Sequence, residues 1–300
     1  MRSAAVTGEE VSVGPQTGVV QTPAGSVAVR RRRLTEPAGV RLVLIALTLA
    51  FLTLFLAVPL IAVFAEALRD GVGAYMAAVT ETYAFAALKL TLLTVALAVP
   101  ANLFFGLCAG WAIAKFSFRG KQLLTTLIDL PFAVSPVISG LVFVLLAGRQ
   151  GFLGPWLAEH DIQIIFAVPG IVLATVFVSF PFIAREVIPV MEAGGTHEEE
   201  AARVLGASGM QTFFRVTLPN IKWGVLYGVI LCTARVIGEF GAVSVVSGHI
   251  RGLTNTLPLH VEVLYNEYQF QAAFAVASIL TFLALITLVI KTISERQVRS

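Results

Sequence analysis

Long apolar stretches separated by short polar clusters dominate the chain. The runs lie at about 42–65, 84–114, 127–147, 166–184, 223–247 and 272–291. Each comes close to or exceeds the roughly 20 residues that a helix needs to cross a hydrocarbon core of about 30 Å. Backbone groups in lipid have no water to bond, so single apolar segments of this length must form helices. The pattern predicts an all-α membrane protein with six transmembrane helices. The second run is the longest, and Pro100 and Asn102 interrupt it near the middle. Splitting it into two short helices would reverse every later orientation, so it is expected to be one long, kinked or tilted span.

Composition supports lipid as the solvent: 57% of the residues are hydrophobic and 13% charged. A water-soluble fold this apolar could not cover its surface with polar groups, which excludes an ordinary cytosolic enzyme, a disordered protein and a disulfide-stapled secreted domain. The basic residues then set the orientation. Arg2, Arg30 to Arg33 and Arg41, then Lys115, Arg119 and Lys121, then Arg185, Arg203, Arg215 and Lys222, and finally Lys291, Arg296 and Arg299 fall on one side. Only Arg69, Arg149 and Arg251 fall on the other, while Lys89 and Arg235 lie within runs. The positive-inside bias places both termini in the cytoplasm. The domain expectation is a flexible cytoplasmic tail over 1–41, a permease domain over 42–291 with a cytoplasmic loop at 185–222, and a short tail over 292–300.

The first run is too long for the apolar region of a signal peptide and no small-residue cleavage pattern follows it, so it reads as a retained span. Cys108 and Cys232 lie inside apolar runs and read as small buried hydrophobes. Gly106 with Gly110, and Gly224 with Gly228, form two GxxxG pairs that allow close helix approach. Pro131, Pro136, Pro169 and Pro181 free backbone carbonyls in the third and fourth runs, as packing kinks or along a water-filled path.

The 185–222 loop reads as helix, turn, helix. Thr196 with Glu199 has the spacing of a capping box, and Glu198 to Glu200 put negative charge on the positive end of a helix. Gly206 suits the left-handed conformation that ends a helix. Ser208 with Gln211 offers a second box, and the following helix is expected to stop at Leu218-Pro219. Two capped helices joined at a glycine would make a compact knob on the membrane surface.

Glu200-Ala201-Ala202, three residues, Gly206, nine residues, then Val216-Thr217-Leu218-Pro219 resembles the EAA loop of ABC-importer permease subunits, with Val216 in place of isoleucine. Gly238 to Ala242 looks like the sulfate and molybdate branch of that family, and Thr254 to Glu262, continuing through Leu264 to Tyr268, looks like its CysW-type subunits. The resemblance covers roughly residues 42–291. It implies the type I importer (MetI-like) fold in the bacterial inner membrane. It further implies a CysT-type second permease subunit, two copies of an ATP-binding subunit and a periplasmic sulfate/thiosulfate-binding protein. Carried over by position, Glu200, Ala201, Ala202, Gly206, Val216, Leu218 and Pro219 would couple the chain to the ATPase.

Ionisable residues in lipid are functional candidates. Arg235 in the fifth run, with Glu239 four residues on, can pair with it or line and gate the path of a dianion. Lys89 is placed to snorkel and Asp129 to mark a boundary; His160, His197, His249 and His260 fall in loops without metal-ligand spacing and read as solvated. No G-x4-G-K-[ST], H-E-x-x-H or G-x-S-x-G occurs, so the chain is expected to hold no cofactor and to catalyse nothing itself, and the family resemblance implies ATP and Mg bound by a partner ATPase. The leading expectation is a sulfate/thiosulfate permease subunit. A molybdate/tungstate permease, a stand-alone channel or secondary carrier, and an intramembrane enzyme are the other classes.

Overall fold

The computed structural model describes residues 38–299, with side chains described for 39–294. The expected N-terminal tail, with its arginine cluster, lies outside the described residues apart from 38–41, which are helical. The chain divides into two compact units, Met1–Thr53 and Leu54–Ser300. The described part of the first is helix α1, Ala38–Leu52, whose apolar side chains from Leu42 to Leu52 stand exposed, as those of a lipid-facing helix do.

Among its described residues the second unit has helices joined by turns and short irregular links. In order come α2 (Val58–Ala67), α3 (Val72–Thr80), α4 (Thr82–Lys115), α5 (Lys121–Ala133), α6 (Pro136–Ala147), α7 (Gly154–Glu159) and α8 (Val168–Ala193). Then follow α9 (His197–Val204), α10 (Gly209–Thr212), α11 (Leu218–Ile237), α12 (Gly241–Val246), α13 (Leu257–Asn266) and α14 (Phe270–Arg299). Among the described residues, five helical stretches are long and apolar enough to cross a membrane: Gly39–Ala67, Thr82–Lys115, Val168–Ala193, Gly209–Ile237 and Phe270–Ser294. Counting the bent pair α5–α6 as one span brings the number to six.

Four of these boundaries differ from the sequence expectation. The third span is broken: α5 and α6 meet at 107°. Pro136 opens α6; it disfavours helical backbone at Ser135, whose ψ is 135°, and Val134 is extended as well, so the helix is interrupted there. The fourth helix runs nine residues beyond the expected end at 184, into the segment expected as a loop. Ion pairs Arg185–Asp129 at 2.8 Å and Lys121–Glu192 at 3.7 Å line that extension, so it needs no lipid. The fifth helix ends at Ile237, not at 247, and Gly238 to Phe240 separate it from α12. At the C-terminus the expected separate tail over 292–300 is instead the end of α14, which continues to Arg299. The second span is as expected one helix of 34 residues, with Pro100 inside it.

Helix α8 is the centre of the bundle. A methyl group on Gly106 of α4 would lie 2.9 Å from Cγ2 of Ile183, and one on Gly110 would lie 3.0 Å from Cγ1 of Val187. On its other side, Gly228 of α11 would meet the Ile183 Cα at 3.2 Å and Gly224 would meet Val190 at 3.0 Å. Both GxxxG pairs therefore serve one purpose, bringing two helices against α8 at backbone distance. Midway along, Asn102 of α4 donates to Ser179 Oγ of α8 at 2.7 Å and reaches Cys232 Sγ of α11 at 3.5 Å, so one buried amide ties all three. Around it pack Ala98, Val99, Ile183, Val187, Met191, Ile221 and Val236. A second core joins α8, α12 and α13 through Ile171, Val178, Val243, Val246 and Leu259, with Phe143 and Val144 of α6 packed against it.

The packing of α6 on α12 depends on Gly140, where a Cβ would stand 2.7 Å from the Ala242 carbonyl oxygen. Backbone cannot yield as a side-chain tip does, so Gly140→Ala should destabilise the protein by about 1–3 kcal/mol. Gly73→Ala, at a helical glycine with nothing within 4 Å, should be neutral or slightly stabilising. The thermal midpoint for loss of monodisperse protein in detergent separates the two.

Candidate functional site

Between the end of α8 and the start of α10 the chain makes a small projecting knob. Its first helix, α9, carries Glu198, Glu199 and Glu200 in the first turn, where the helix dipole favours anions. Helix α9 closes at Gly206, with φ of 88°. The Gly206 N–H donates to the Arg203 carbonyl at 2.9 Å and the Ala207 N–H to the Ala202 carbonyl at 3.0 Å, which is a Schellman closure. Two residues later Ser208 and Gln211 form the expected reciprocal capping box. Turn and cap together leave the tip little freedom. On it Val204 and Leu205 are 87% and 88% exposed, and Met210 and Phe214 are exposed beside them.

The first expected capping box does not form. Thr196 donates its hydroxyl to Glu200 at 2.7 Å and caps no backbone N–H. Glu199 is drawn away to Lys115 Nζ at 2.8 Å, and Thr217 donates to the same carboxylate oxygen at 3.1 Å. A carboxylate paired with an ammonium group gains more than one accepting a single backbone N–H. Burial alone would raise the Glu199 carboxyl, but the hydrogen bonds from Lys115 and Thr217 with the lysine's charge hold it below the usual carboxylate range. Asn220 donates to Glu198 in a similar contact.

Nor does the second helix of the knob stop at Leu218-Pro219. A wider, π-helical turn at Phe213–Thr217 leads directly into α11, so Gly209–Ile237 is one helical stretch. Proline lacks the N–H that an α-helical register requires, and the wider turn just before it accommodates that loss. Thr53–Ala57 does the same ahead of Pro59. The non-membrane segment is thus much shorter than 185–222. Of the expected coupling residues, Glu200, Ala201, Gly206 and Pro219 are exposed. Ala202 and Val216 are half-buried, and Leu218 packs against the core beside α8.

Arg235 and Glu239 meet at 2.5 Å, but not inside a helix. Arg235 is in the last turn of α11, where a cation suits the helix dipole, and Glu239 follows the break. Glu239 accepts the Ala242 N–H at 2.9 Å, capping α12 through one oxygen while the other meets the guanidinium as a charge contact. The pair spans the break. The Glu239 side chain is 2% exposed and that of Arg235 28%.

Comparison with known proteins places this geometry. Residues 102–300 match the family described as the inner-membrane component of binding-protein-dependent transport systems. The chain belongs to this family. It is 53% identical over 264 residues, 88% of this chain and 96% of the relative, to the sulfate transport system permease protein CysW of Synechocystis sp. (strain ATCC 27184 / PCC 6803 / Kazusa). It is 37% identical over 250 residues, 83% and 90% of the two chains, to the sulfate transport system permease protein CysT of Escherichia coli (strain K12). A chain from the crystal structure of a bacterial alginate ABC transporter, bound to a periplasmic protein carrying alginate pentasaccharide, shares the fold. Its TM-score is 0.71 at 17% identity, covering 87% of this chain and 94% of that one. The protein is a multi-pass inner-membrane permease of non-catalytic type.

Several residues gained importance only through packing. Lys115 reads as one more cytoplasmic cation in the sequence, yet it reaches the knob. Asn102 reads as an interruption, yet it joins three helices. His260 is not solvated: it is buried in α13, and burial pushes its imidazole below the usual range. His249 faces Glu262 at 3.3 Å. Asp129 pairs with Arg185, and Lys89 sits over the Phe85 ring at 4.6 Å. Lys89 over Phe85 is an i,i+4 pair that helical periodicity could have signalled, whereas the partners of Lys115, Asn102 and Asp129 are tens of residues away and the burial of His260 depends on neighbouring helices.

Open space surrounds Gly206, so only its left-handed backbone resists substitution. Gly206→Val should cost about 1–2 kcal/mol of tip stability and lower transport more than membrane insertion. Gly206→Asn, which tolerates that backbone, should retain most activity. Uptake normalised to the membrane-inserted amount checks both, and equal loss of uptake and insertion in the valine variant would mean misfolding alone.

Proposed function

We propose that this chain is the CysW-type permease subunit of an ATP-driven sulfate importer, and that the rigid tip at Val204–Leu205 is where an ATP-binding subunit grips it. The observation that carries the reading is a fixed, strongly apolar projection on a segment the basic residues place in the cytoplasm. Exposed leucine and valine on an ordered, capped turn suit insertion into an apolar groove of a partner. Glu200, Ala201 and Gly206 border that tip, whereas Ala202, Val216 and Leu218 support it from within. ATP and Mg are held by the partner. The complete importer on this reading pairs the chain with a CysT-type permease, two copies of the ATP-binding subunit and a periplasmic binding protein that delivers sulfate or thiosulfate.

Closure of the ATPase pair would push the tips together and tilt the bundle between outward-open and inward-open packings. Replacing both tip residues, Val204→Asp with Leu205→Asp, should abolish copurification of the ATP-binding subunit while leaving insertion intact. Retained ATPase would refute the docking surface. In reconstituted importer, sulfate and thiosulfate should stimulate ATP hydrolysis, and stimulation by molybdate alone would overturn the substrate assignment.

Arg235 is the more exposed member of its pair and is therefore the one that a permeating dianion could meet. On this reading its charge offsets part of the anion's desolvation on the path. Arg235→Gln should lower sulfate uptake severalfold in an importer that still assembles. It also strands Glu239, so the double variant Arg235→Gln/Glu239→Gln should regain stability without regaining uptake. Full uptake in the single variant would leave the pair a purely structural role.

A further inference from the structure

The knob is joined covalently to α8 on one side and to α10 and α11 on the other. Helix α4 has no such link, since its chain leaves Lys115 for the turn that begins α5. Yet α4 touches the knob at two points. The Trp111 ring lies 4.9 Å from that of Phe213 in the wide turn. One turn of helix further on, the Lys115 ammonium group bonds both the Glu199 carboxylate at 2.8 Å and the Gly195 carbonyl.

We propose that Lys115 is a positioning residue for energy coupling, clamping the knob to the inner end of α4 so that a push on the knob moves α4 together with α8 and α11. The proposal rests on the reading of the knob as the ATPase contact and adds the route by which its displacement enters the bundle.

The geometry supports a clamp. One Glu199 oxygen receives both Lys115 from α4 and Thr217 from the residue preceding α11, while its own backbone belongs to α9. Three helices therefore converge on a single carboxylate. The Lys115 and Glu199 side chains are only 9% and 14% exposed, so water replaces their pairing poorly. Breaking such a pair leaves a largely desolvated charge, unlike the loss of a surface salt bridge. An ammonium group with three donors can hold carboxylate and carbonyl at once, fixing both the start of α9 and the link that precedes it.

The clamp is not what holds the bundle together. Further into the membrane, α4 is already fastened to α8 by the Gly106 and Gly110 contacts and by Asn102. Loss of Lys115 thus leaves α4 in place and frees the knob to move without it. Coupling suffers while assembly persists.

The test uses the whole importer in proteoliposomes, comparing sulfate taken up per ATP hydrolysed. Lys115→Gln should keep its ATP-binding subunits and hydrolyse ATP, while sulfate moved per ATP falls about fivefold or more. Lys115→Arg, which keeps the charge and has donors enough for both acceptors, should stay near the wild-type ratio. Glu199→Gln should reproduce the glutamine variant from the other side, and the double variant should be no worse than either single one. A merely structural defect lowers both rates together and leaves the ratio unchanged. An intact Lys115→Gln complex with the wild-type ratio overturns the clamp. If that variant does not assemble, Glu199→Gln alone decides by the same ratio. A Val204→Asp/Leu205→Asp complex that retains its ATPase would instead refute the docking surface itself, which keeps the two failures distinct.

Discussion

The close approach of α4 and α11 to the two sides of α8 is the contact on which the rest of the molecule depends. Lipid tails are as apolar as leucine, so helices in a bilayer gain little from hiding apolar surface and must associate by shape and by hydrogen bonds. Glycines at 106, 110, 224 and 228 let Ile183, Val187 and Val190 of α8 lie against bare backbone. Each atom pair contributes only about 0.1–0.2 kcal/mol, but the two seams extend over several turns. The Asn102 amide adds a bond whose partners lie on the other two helices, which fixes how the helices are aligned along their axes.

That alignment sets the position of the knob. Because α8 and α11 are fixed side by side, their cytoplasmic ends carry the two roots of the knob at a defined separation. The wide turn at Phe213–Thr217 then keeps the second root helical through Pro219, so no slack intervenes between tip and bundle. A tip built on a Schellman closure and a capping box is stiff, and that stiffness continues into the bundle.

The charged residues follow the same logic of limited water. Glu239 is almost wholly buried and is held by a backbone N–H and a guanidinium. Glu199 is held by a lysine and a threonine. Both acids lie where a helix ends or begins, so each compensates backbone polarity as well as a side-chain charge. Their neighbours in sequence do not share this: Glu200 bonds only Thr196 and stays exposed. Three consecutive glutamates thus have three different partners.

The amino-acid sequence alone supplied the solvent, the candidate crossings counted with the bent pair, the orientation expected from its cations and the resemblance to the family. These follow from local quantities: apolar run length, the side on which cations fall, and residues at fixed short spacing. Gly206 was legible because a left-handed helix end is a property of one residue, and the Ser208–Gln211 box because it spans four. Tertiary structure decided what depends on competition between distant partners. Glu199 left its cap for Lys115, Pro136 broke a span while Pro100, Pro181 and Pro219 did not, and His260 was buried by helices that no window around it contains. A proline bends or does not bend according to what re-satisfies the freed carbonyl, and a charge chooses the strongest partner within reach. Partners of this kind lie on other helices and act only once the bundle is assembled.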